Sequence, residues 1–338
     1  MTESLPGASV PEHKISIVIP VYRGEKTLSG LLAEIEPLTI GGLTPDGHPF
    51  RVVEVVAVYD NGPDESDKVL RALEEEHDFL RTIWLTKNFG QHAATLAGMA
   101  SSGGEWIVTL DEDGQHKPAE IMNLLDAAMR DQCAVAYARP VNEAPHGRLR
   151  NVLSRGAKWV LSRLVSDPEA LSYHSFRLIL GSVGRGVAAY SGAGVYLDVA
   201  IGWVVGRTTS APVTLRSESE RTSGYSQRAL LGHFRRMVLT SGTRGLRFVS
   251  ALGGVFLVVS LLLATVILIA RLFGSISTQG WASTIVIVLF SSGATLFSLG
   301  IIAEYIGVAV NMAMGKPPYL ITSDLKNGPL GRARIERQ

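Results

Sequence analysis

The feature that most constrains this chain is a run of 56 residues, 248–303, that carries a single charge, Arg271. Charged residues make up 19% of the chain, and at that density about ten would fall in such a run. A segment this depleted cannot supply the polar surface of a soluble domain, so a wholly soluble protein is excluded. Residues 248–270 and 281–303 are each 23 uncharged residues long. Each would make about 34 Å of helix, enough to cross a hydrocarbon core of about 30 Å. The link RLFGSISTQG is too short to hold a domain, so a two-helix transmembrane hairpin is expected over 248–310, with Trp281 and Tyr305 as interfacial anchors.

Charge around the hairpin orients it. Arg228, Arg235, Arg236, Arg244 and Arg247 precede the first span, Lys316, Lys326, Arg332, Arg334 and Arg337 follow the second, and the connecting loop holds Arg271 alone. The positive-inside rule then predicts both ends in the cytoplasm, with 311–338 as a cytoplasmic tail. Residues 216–247 interleave arginines with Leu, Phe, Met and Val. They fit interfacial amphipathic helices lying among headgroups better than an ordinary surface helix. Glu304, at the end of the second span, is either a buried functional carboxylate or an interfacially solvated one.

The rest of the composition closes other routes. Thirty-two Lys and Arg against 31 Asp and Glu give a net charge of +1, which offers no electrostatic footprint for nucleic acid. A single cysteine, Cys133, excludes an internal disulfide framework and any zinc-ribbon spacing. Residues 1–14 form a polar, flexible tail with no apolar core, so neither a signal peptide nor a first span is expected there.

Between the tail and the arginine-rich segment, residues 15–215 alternate short β-rich runs with helical stretches. ISIVIPV, RVVEVVAVYD, RTIWLT, EWIVTLD and CAVAYA read as strands, separated by EKTLSGLLAEIEPL, SDKVLRALEEEH, NFGQHAATLAGMASS and AEIMNLLDAAMR as helices. That rhythm predicts a parallel α/β sheet covered on both faces, with ligands at the carboxyl ends of its strands. TIGGLTPDGHPF reads as a surface loop.

Two acidic clusters fall at those strand ends. Asp111, Asp113 and Gln115 in TLDEDGQHKP follow an apolar strand, and carboxylates there are costly without a cation. Their hard oxygen donors suit Mg2+ or Mn2+, which keep waters and take further ligands from phosphates. His116 has no second histidine at zinc spacing. The plainer reading is an acidic turn after a strand. Asp60, in VYDNGPDES, is either a turn former or a carboxylate that meets a base or ribose. Pro20 is expected to end pairing of the first strand, and Tyr22 stands where a planar base could stack. No GxGxxG, GxxxxGK[ST] or GxSxG occurs.

The ordered set PVYRGEKTL, VYDNGPDES, LTKNFGQHAATLAG, LDEDGQHKP, FRLI, RTSGYSQRALL and GIIAEYIG…GKPPYLI resembles the family-two glycosyltransferases. Within them it is most similar to the membrane-anchored polyisoprenyl-phosphate branch related to dolichyl-phosphate mannose synthase. The resemblance implies a GT-A, Rossmann-like nucleotide-binding domain and transfer of a hexosyl group from a UDP- or GDP-sugar to a polyprenyl phosphate. By that resemblance Asp111, Asp113 and Gln115 hold the metal, with Asp111 also near the ribose, and Arg221 meets the donor diphosphate. Pro20, Tyr22, Glu25, Asp60 and Lys87 line the nucleotide, and Ser223 and Tyr225 belong to a loop beneath the active site. Arg139, Arg148 and Arg150 are candidates for the acceptor phosphate, with a solvated basic face as the equal alternative. The resemblance further implies an integral protein of a bacterial inner or plasma membrane and a homo-oligomer, a tetramer being one form.

The chain departs from the family pattern at several places. Arg23-Gly24 replace the usual Asn-Glu, Tyr59 replaces an acid before Asp60, Gly224 replaces a lysine, and Ser175 replaces the acid before FRL. Two other readings stand beside the first: transfer to another membrane-bound acceptor such as a glycolipid or polysaccharide, and a catalytically inactive nucleotide-binding scaffold.

Overall fold

The computed structural model describes residues 11–141, 175–216, 280–324 and 326, with isolated positions between 249 and 269. Its elements in chain order are β1 His13–Val21, α1 Leu28–Thr39, β2 Gly42–Leu43, β3 Pro49–Tyr59, α2 Ser66–Glu76 and β4 Leu80–Leu85. Next come α3 Gln91–Ser101, β5 Trp106–Thr109, α4 Ile121–Asp131, β6 Val135–Pro140 and β7 Arg177–Leu180. The last are α5 Gly181–Tyr190, α6 Leu197–Val204, β8 Thr209–Val213, α7 Trp281–Ala313 and β9 Ile321–Thr322. The chain divides into two compact units, residues 1–154, 169–225 and 317–338 in one and 155–168 and 226–316 in the other.

In the first unit the described strands form one sheet in the order β8-β6-β7-β5-β1-β3-β4-β9, with β2 on β3. Strands β5, β1, β3 and β4 are mutually parallel, as the strand–helix rhythm predicts. The complete sheet is mixed, because β7 runs antiparallel to both β5 and β6, and β9 and β2 are antiparallel additions. β7 starts at the end of the sheet where β6 finishes, so it runs opposite to its two neighbours. The expected surface loop after α1 carries β2 as a short hairpin arm, Gly42 opposite Phe50.

Every residue of β1 from Ile15 to Val21 is buried, and the face to which side chains pack alternates with a period of two. Ile15, Ile17, Ile19 and Val21 pack with α1, α2 and α4 on one face. Val18 packs with Ala94, Ala97 and Met99 of α3 on the other, joined by α5 and α6. A strand apolar on both faces must be covered on both, which is why helices sit on each side. Pro20 lies inside β1, opposite Val58, and pairing continues to Val21 and Tyr59. The proline is tolerated because β1 bonds alternately to its two neighbours. Its missing N–H falls on the β5 side, where the ladder has already stopped at Val18 and Thr109.

The chain leaves β1 for β3 and β4 on one side, then crosses to β5 on the other. The carboxyl ends of β1 and β5 therefore flank a reversal of strand order, where open α/β sheets bind ligands.

In the second unit α7 runs unbroken for 33 residues. Its Phe290–Ala313 portion is long and apolar enough to cross a membrane, the one such helix among the described residues. The helix continues past the expected end of the span at Ala303, so Glu304 lies within it. It stops at Gly315, whose φ of +63° lets the Gly315 and Lys316 N–H groups close back onto Met312 and Asn311 carbonyls. The first expected span and residues 217–247 lie outside the described residues, apart from isolated positions. Residues 311–338, expected as a tail, contain β9, which returns to pair with β4.

Candidate active site

The loops that follow β1, β3, β4 and β5 all emerge at one end of the sheet. The loop after β5 is the most densely committed. Asp111 is half-buried, and its Oδ1 accepts a 2.6 Å hydrogen bond from Gln91 Nε2 at the start of α3. Its Oδ2 accepts from the Ser175 hydroxyl, one residue before Phe176. Burial pushes the Asp111 carboxyl up; the nearby His116, the Ser175 bond and Arg177 act the other way, while Asp113 adds to the rise. Asp113 Oδ1 accepts the Gln115 N–H at 3.0 Å, closing the turn that contains Gly114.

The middle acid of the loop turns elsewhere. Glu112 accepts the backbone N–H of Tyr22 at 2.9 Å and that of Arg23 at 2.9 and 3.1 Å. Its carboxylate thus joins the β5 loop to the β1 loop. Sequence reasoning passed over Glu112, because an acid between two aspartates looks like part of the same cluster.

Asp60 is 2% exposed. Its two oxygens accept the N–H groups of Phe89 and Gly90, each at 2.7 Å. Burial raises its carboxyl, and the two amide bonds partly offset the rise. The residue therefore anchors the NFG turn between β4 and α3. Lys87, in the same turn, is exposed with its Nζ 5.1 Å from the Phe89 ring centroid.

On the β1 loop, Tyr22 is 37% exposed, and Arg23 lies over its ring with the guanidinium carbon 5.5 Å from the centroid. Glu25 faces the β3–α2 loop: its Oε2 accepts the Glu65 N–H at 3.3 Å, and its own N–H donates to Asp64. Pro20 is buried beneath this loop rather than exposed in it.

Under the site lies a buried ionic layer, formed by Arg177 of the FRLI motif and a partner, Asp198, that no motif contains. Arg177 is 3% exposed and pairs with Asp198 of α6, which also accepts from the Tyr137 hydroxyl at 3.4 Å. Arg177 Nε donates to Thr109 Oγ1 at 3.1 Å, and Thr109 donates to the Ser175 carbonyl. This layer fixes the Ser175 segment against the end of β5. Arg216 closes the β5 loop from the other side: its N–H donates to the Gln115 carbonyl at 3.0 Å and its Nη2 to Glu34 at 2.6 Å. FRLI drew attention to Arg177 as part of a motif, whereas Asp198 showed only as one acid within an apolar run.

His116 packs on Phe176, ring centroids 5.0 Å apart, with a buried Nδ1 that has no hydrogen-bond partner among the described residues. Burial lowers its pKa, while Asp111 and Asp113 draw it up. Among the described residues, no three His, Cys, Asp or Glu side chains are gathered as a self-sufficient metal site. The donors at hand are two carboxylates and the Gln115 carboxamide within five residues, hard oxygens that suit Mg2+ or Mn2+ with ligands completed by phosphate. The orphaned His116 nitrogen beside two acids marks the loop as polar and incompletely satisfied. The residues fit such an ion.

Arg139 is exposed near the end of β6, which points to the same end of the sheet as β5. Arg148, Arg150, Arg221, Ser223 and Tyr225 lie outside the described residues.

Residues 16–180 match the family Glycosyl transferase family 2. An undecaprenyl-phosphate 4-deoxy-4-formamido-L-arabinose transferase of Pseudomonas aeruginosa (strain LESB58) is 27% identical, covering 94% of this chain and 92% of that protein. The protein of the same name from Photorhabdus laumondii is 27% identical over 91% and 93%. Among solved structures, Mycobacterium tuberculosis glucosyl-3-phosphoglycerate synthase with Mn2+, UDP and glucosyl-3-phosphoglycerate gives a TM-score of 0.48 at 17% identity, covering 72% of this chain and 86% of that one. S. aureus TarS 1–349 with UDP-GlcNAc gives 0.45 at 14% identity, covering 68% and 66%. The chain is a glycosyltransferase, and its residues 16–180 are a glycosyl transferase family 2 domain.

Proposed function

We propose that this glycosyltransferase moves a hexosyl group from a UDP- or GDP-sugar to a polyprenyl phosphate at the cytoplasmic face of a bacterial membrane, inverting the anomeric centre. The observation that carries this reading is the loop of Asp111, Asp113 and Gln115 at the end of β5, beside the reversal of strand order. The acceptor follows the Pseudomonas and Photorhabdus relatives, whose names specify undecaprenyl phosphate and whose similarity runs over more than nine-tenths of each chain. The long apolar α7 supports a membrane-resident acceptor.

Asp113 and Gln115 would hold Mg2+ or Mn2+, with Asp111 beside them. When bound, such an ion stabilises negative charge building on the departing diphosphate. Gln91 and Ser175 hold the Asp111 carboxylate in one orientation. Tyr22 offers a stacking face for the base, and Asp60 holds the turn that presents Lys87. A phosphate monoester has a second pKa of about 6, so the acceptor is mostly a dianion at neutral pH and needs positioning more than a general base. Arg139, with Arg148 and Arg150, clamps it; Arg221 meets the donor diphosphate, and Ser223 and Tyr225 serve the acceptor side. An acceptor phosphate oxygen forms the bond to the anomeric carbon as the bond to the diphosphate oxygen breaks. The electron pair leaves with the nucleoside diphosphate.

The test is incubation of the purified full chain with a panel of nucleotide sugars and short polyprenyl phosphates, with lipid products read by mass spectrometry. A glycosylated polyprenyl phosphate is expected. Glycosylation of a glycolipid or polysaccharide alone would replace the acceptor in this reading. Topology is tested with a cysteine at Ser275, which should react with an impermeant thiol reagent in intact cells. Labelling of a cysteine placed in 327–338 instead would reverse the orientation.

A further inference from the structure

Three consecutive acids leave β5, and they serve different partners. Asp111 is tied to Gln91 and Ser175, and Asp113 to its own turn. Glu112 reaches across to the loop after β1, where the backbone has run out of strand neighbours. The β1–β5 ladder ends at Val18 and Thr109, and the β1–β3 ladder at Val21 and Tyr59. The next two N–H groups, of Tyr22 and Arg23, both donate to Glu112, at 2.9 Å from each and a further 3.1 Å contact from Arg23. The following residue makes room for the carboxylate: a Cβ on Gly24 would lie 2.9 Å from Glu112 Oε2. The Gly24 N–H goes instead to Ser66 Oγ at 2.8 Å.

We propose that Glu112 is a positioning residue for the donor: it locks the Tyr22 loop to the Asp111–Asp113 loop, so that the stations for base and diphosphate keep a fixed separation. The inference rests on the function proposed above. A carboxylate suits this role because both oxygens accept, and each bond to a backbone N–H is charge-assisted. A carboxamide of the same shape has one accepting oxygen and would set its NH2 against the second N–H. Losing the lock leaves the chemistry-bearing side chains in place but lets the base platform move, so binding of the nucleotide must re-order it.

The test uses the full chain in detergent, wild type against Glu112→Ala and Glu112→Gln. UDP and GDP binding in the presence of Mn2+ is measured by calorimetry, together with donor KM, acceptor KM, kcat and melting temperature. Glu112→Ala should weaken nucleotide binding and raise donor KM about tenfold, and Glu112→Gln about threefold, since the lost bonds reach the donor only through the cost of re-ordering the loop. Acceptor KM, and kcat at saturating donor, should change less than about twofold, since transition-state contacts are untouched. Unchanged nucleotide affinity in both variants overturns the role. A fall in kcat at unchanged donor KM also overturns it, by making Glu112 part of the chemistry. Should Glu112→Ala fail to fold, Glu112→Gln at wild-type melting temperature decides, and wild-type affinity there refutes the lock. Wild type that binds neither nucleotide overturns the functional reading and this inference together, whereas binding by wild type with equal binding by the variants overturns the inference alone.

Discussion

Arg71 and Asp324, 253 residues apart in sequence, meet in a two-point ion pair, Nε to Oδ2 at 2.5 Å and Nη2 to Oδ1 at 2.8 Å. The same guanidinium donates to Asp67 at 2.8 Å and lies 4.8 Å from the Trp84 ring centroid, while Lys326 reaches Asp67 as well. These contacts fasten the segment after α7 to the edge of the sheet, where β9 pairs with β4 and the Thr86 N–H donates to the Leu320 carbonyl. Thr86 immediately precedes Lys87, so the strap supports one wall of the proposed donor site.

Breaking the strap should loosen that edge without unfolding the sheet. Both partners of the Arg71–Asp324 pair are less than one-fifth exposed. Asp324→Ala is expected to cost about 1–2 kcal/mol, between a surface pair and a buried one. Melting temperature should fall by about 2–4 °C. Hydrogen exchange should quicken at Thr86 while amides of β1 keep their protection. Equal acceleration across the sheet would contradict a local strap.

The strap also carries a pH signature through Asp67. Burial by itself would raise this carboxyl, but Lys326 and Arg71 hold it below its ordinary value of 3.8. A carboxyl depressed in the folded state contributes its stability fully above the unfolded value and loses it as pH falls through that value toward the folded one. The difference in melting temperature between wild type and Asp67→Asn should therefore be constant above about pH 5 and shrink below about pH 4. A difference that widened on acidification would reverse the sign.

Asp60→Asn separates the two readings of that residue. The carboxylate accepts from both Phe89 and Gly90, and a carboxamide can satisfy only one of them. A loss of about 1–3 kcal/mol is expected for the stranded buried donor. Denaturant midpoints should shift at unchanged slope, and donor KM should rise with the loosened turn. Full stability with a selective loss of nucleotide binding would return Asp60 to direct ligand contact.

Asp113→Ala removes a candidate metal oxygen and little packing. Transfer should fall by at least about a hundredfold, the scale of a lost electrostatic stabiliser, while melting temperature is retained. Excess chelator should reproduce the loss reversibly, and full turnover in chelator would sink the metal assignment.

Much of this architecture was legible in contiguous residues. The 56-residue charge-poor run announced a long apolar helix, of which α7 is described. The order of β1, β3, β4 and β5 with intervening helices followed from the alternation of short apolar runs and amphipathic stretches. Asp111, Asp113 and Gln115 stood out because strand, acidic loop and Pro118 adjoin in sequence. Such signals survive without tertiary structure because composition and periodicity belong to neighbours along the chain.

What each acid does was decided only when the strands took their places. Asp60 read either as a turn former or as a ligand-facing carboxylate, and the β3 and β4 ends bring it under the Phe89 and Gly90 amides. Glu112 was passed over beside Asp111 and Asp113, yet the adjacency of β1 and β5 gives it the amides of Tyr22 and Arg23, 90 and 89 residues away. Arg177 and Asp198 became partners because β7 lies between β5 and β6 with α6 packed beneath, and the expected tail became a strand because β4 left an open edge. The reason is common to all of them. A polar group buried at a loop crossing must find a partner, and the partner is whichever group the strand order brings within about 3 Å, at a sequence separation that no local pattern encodes.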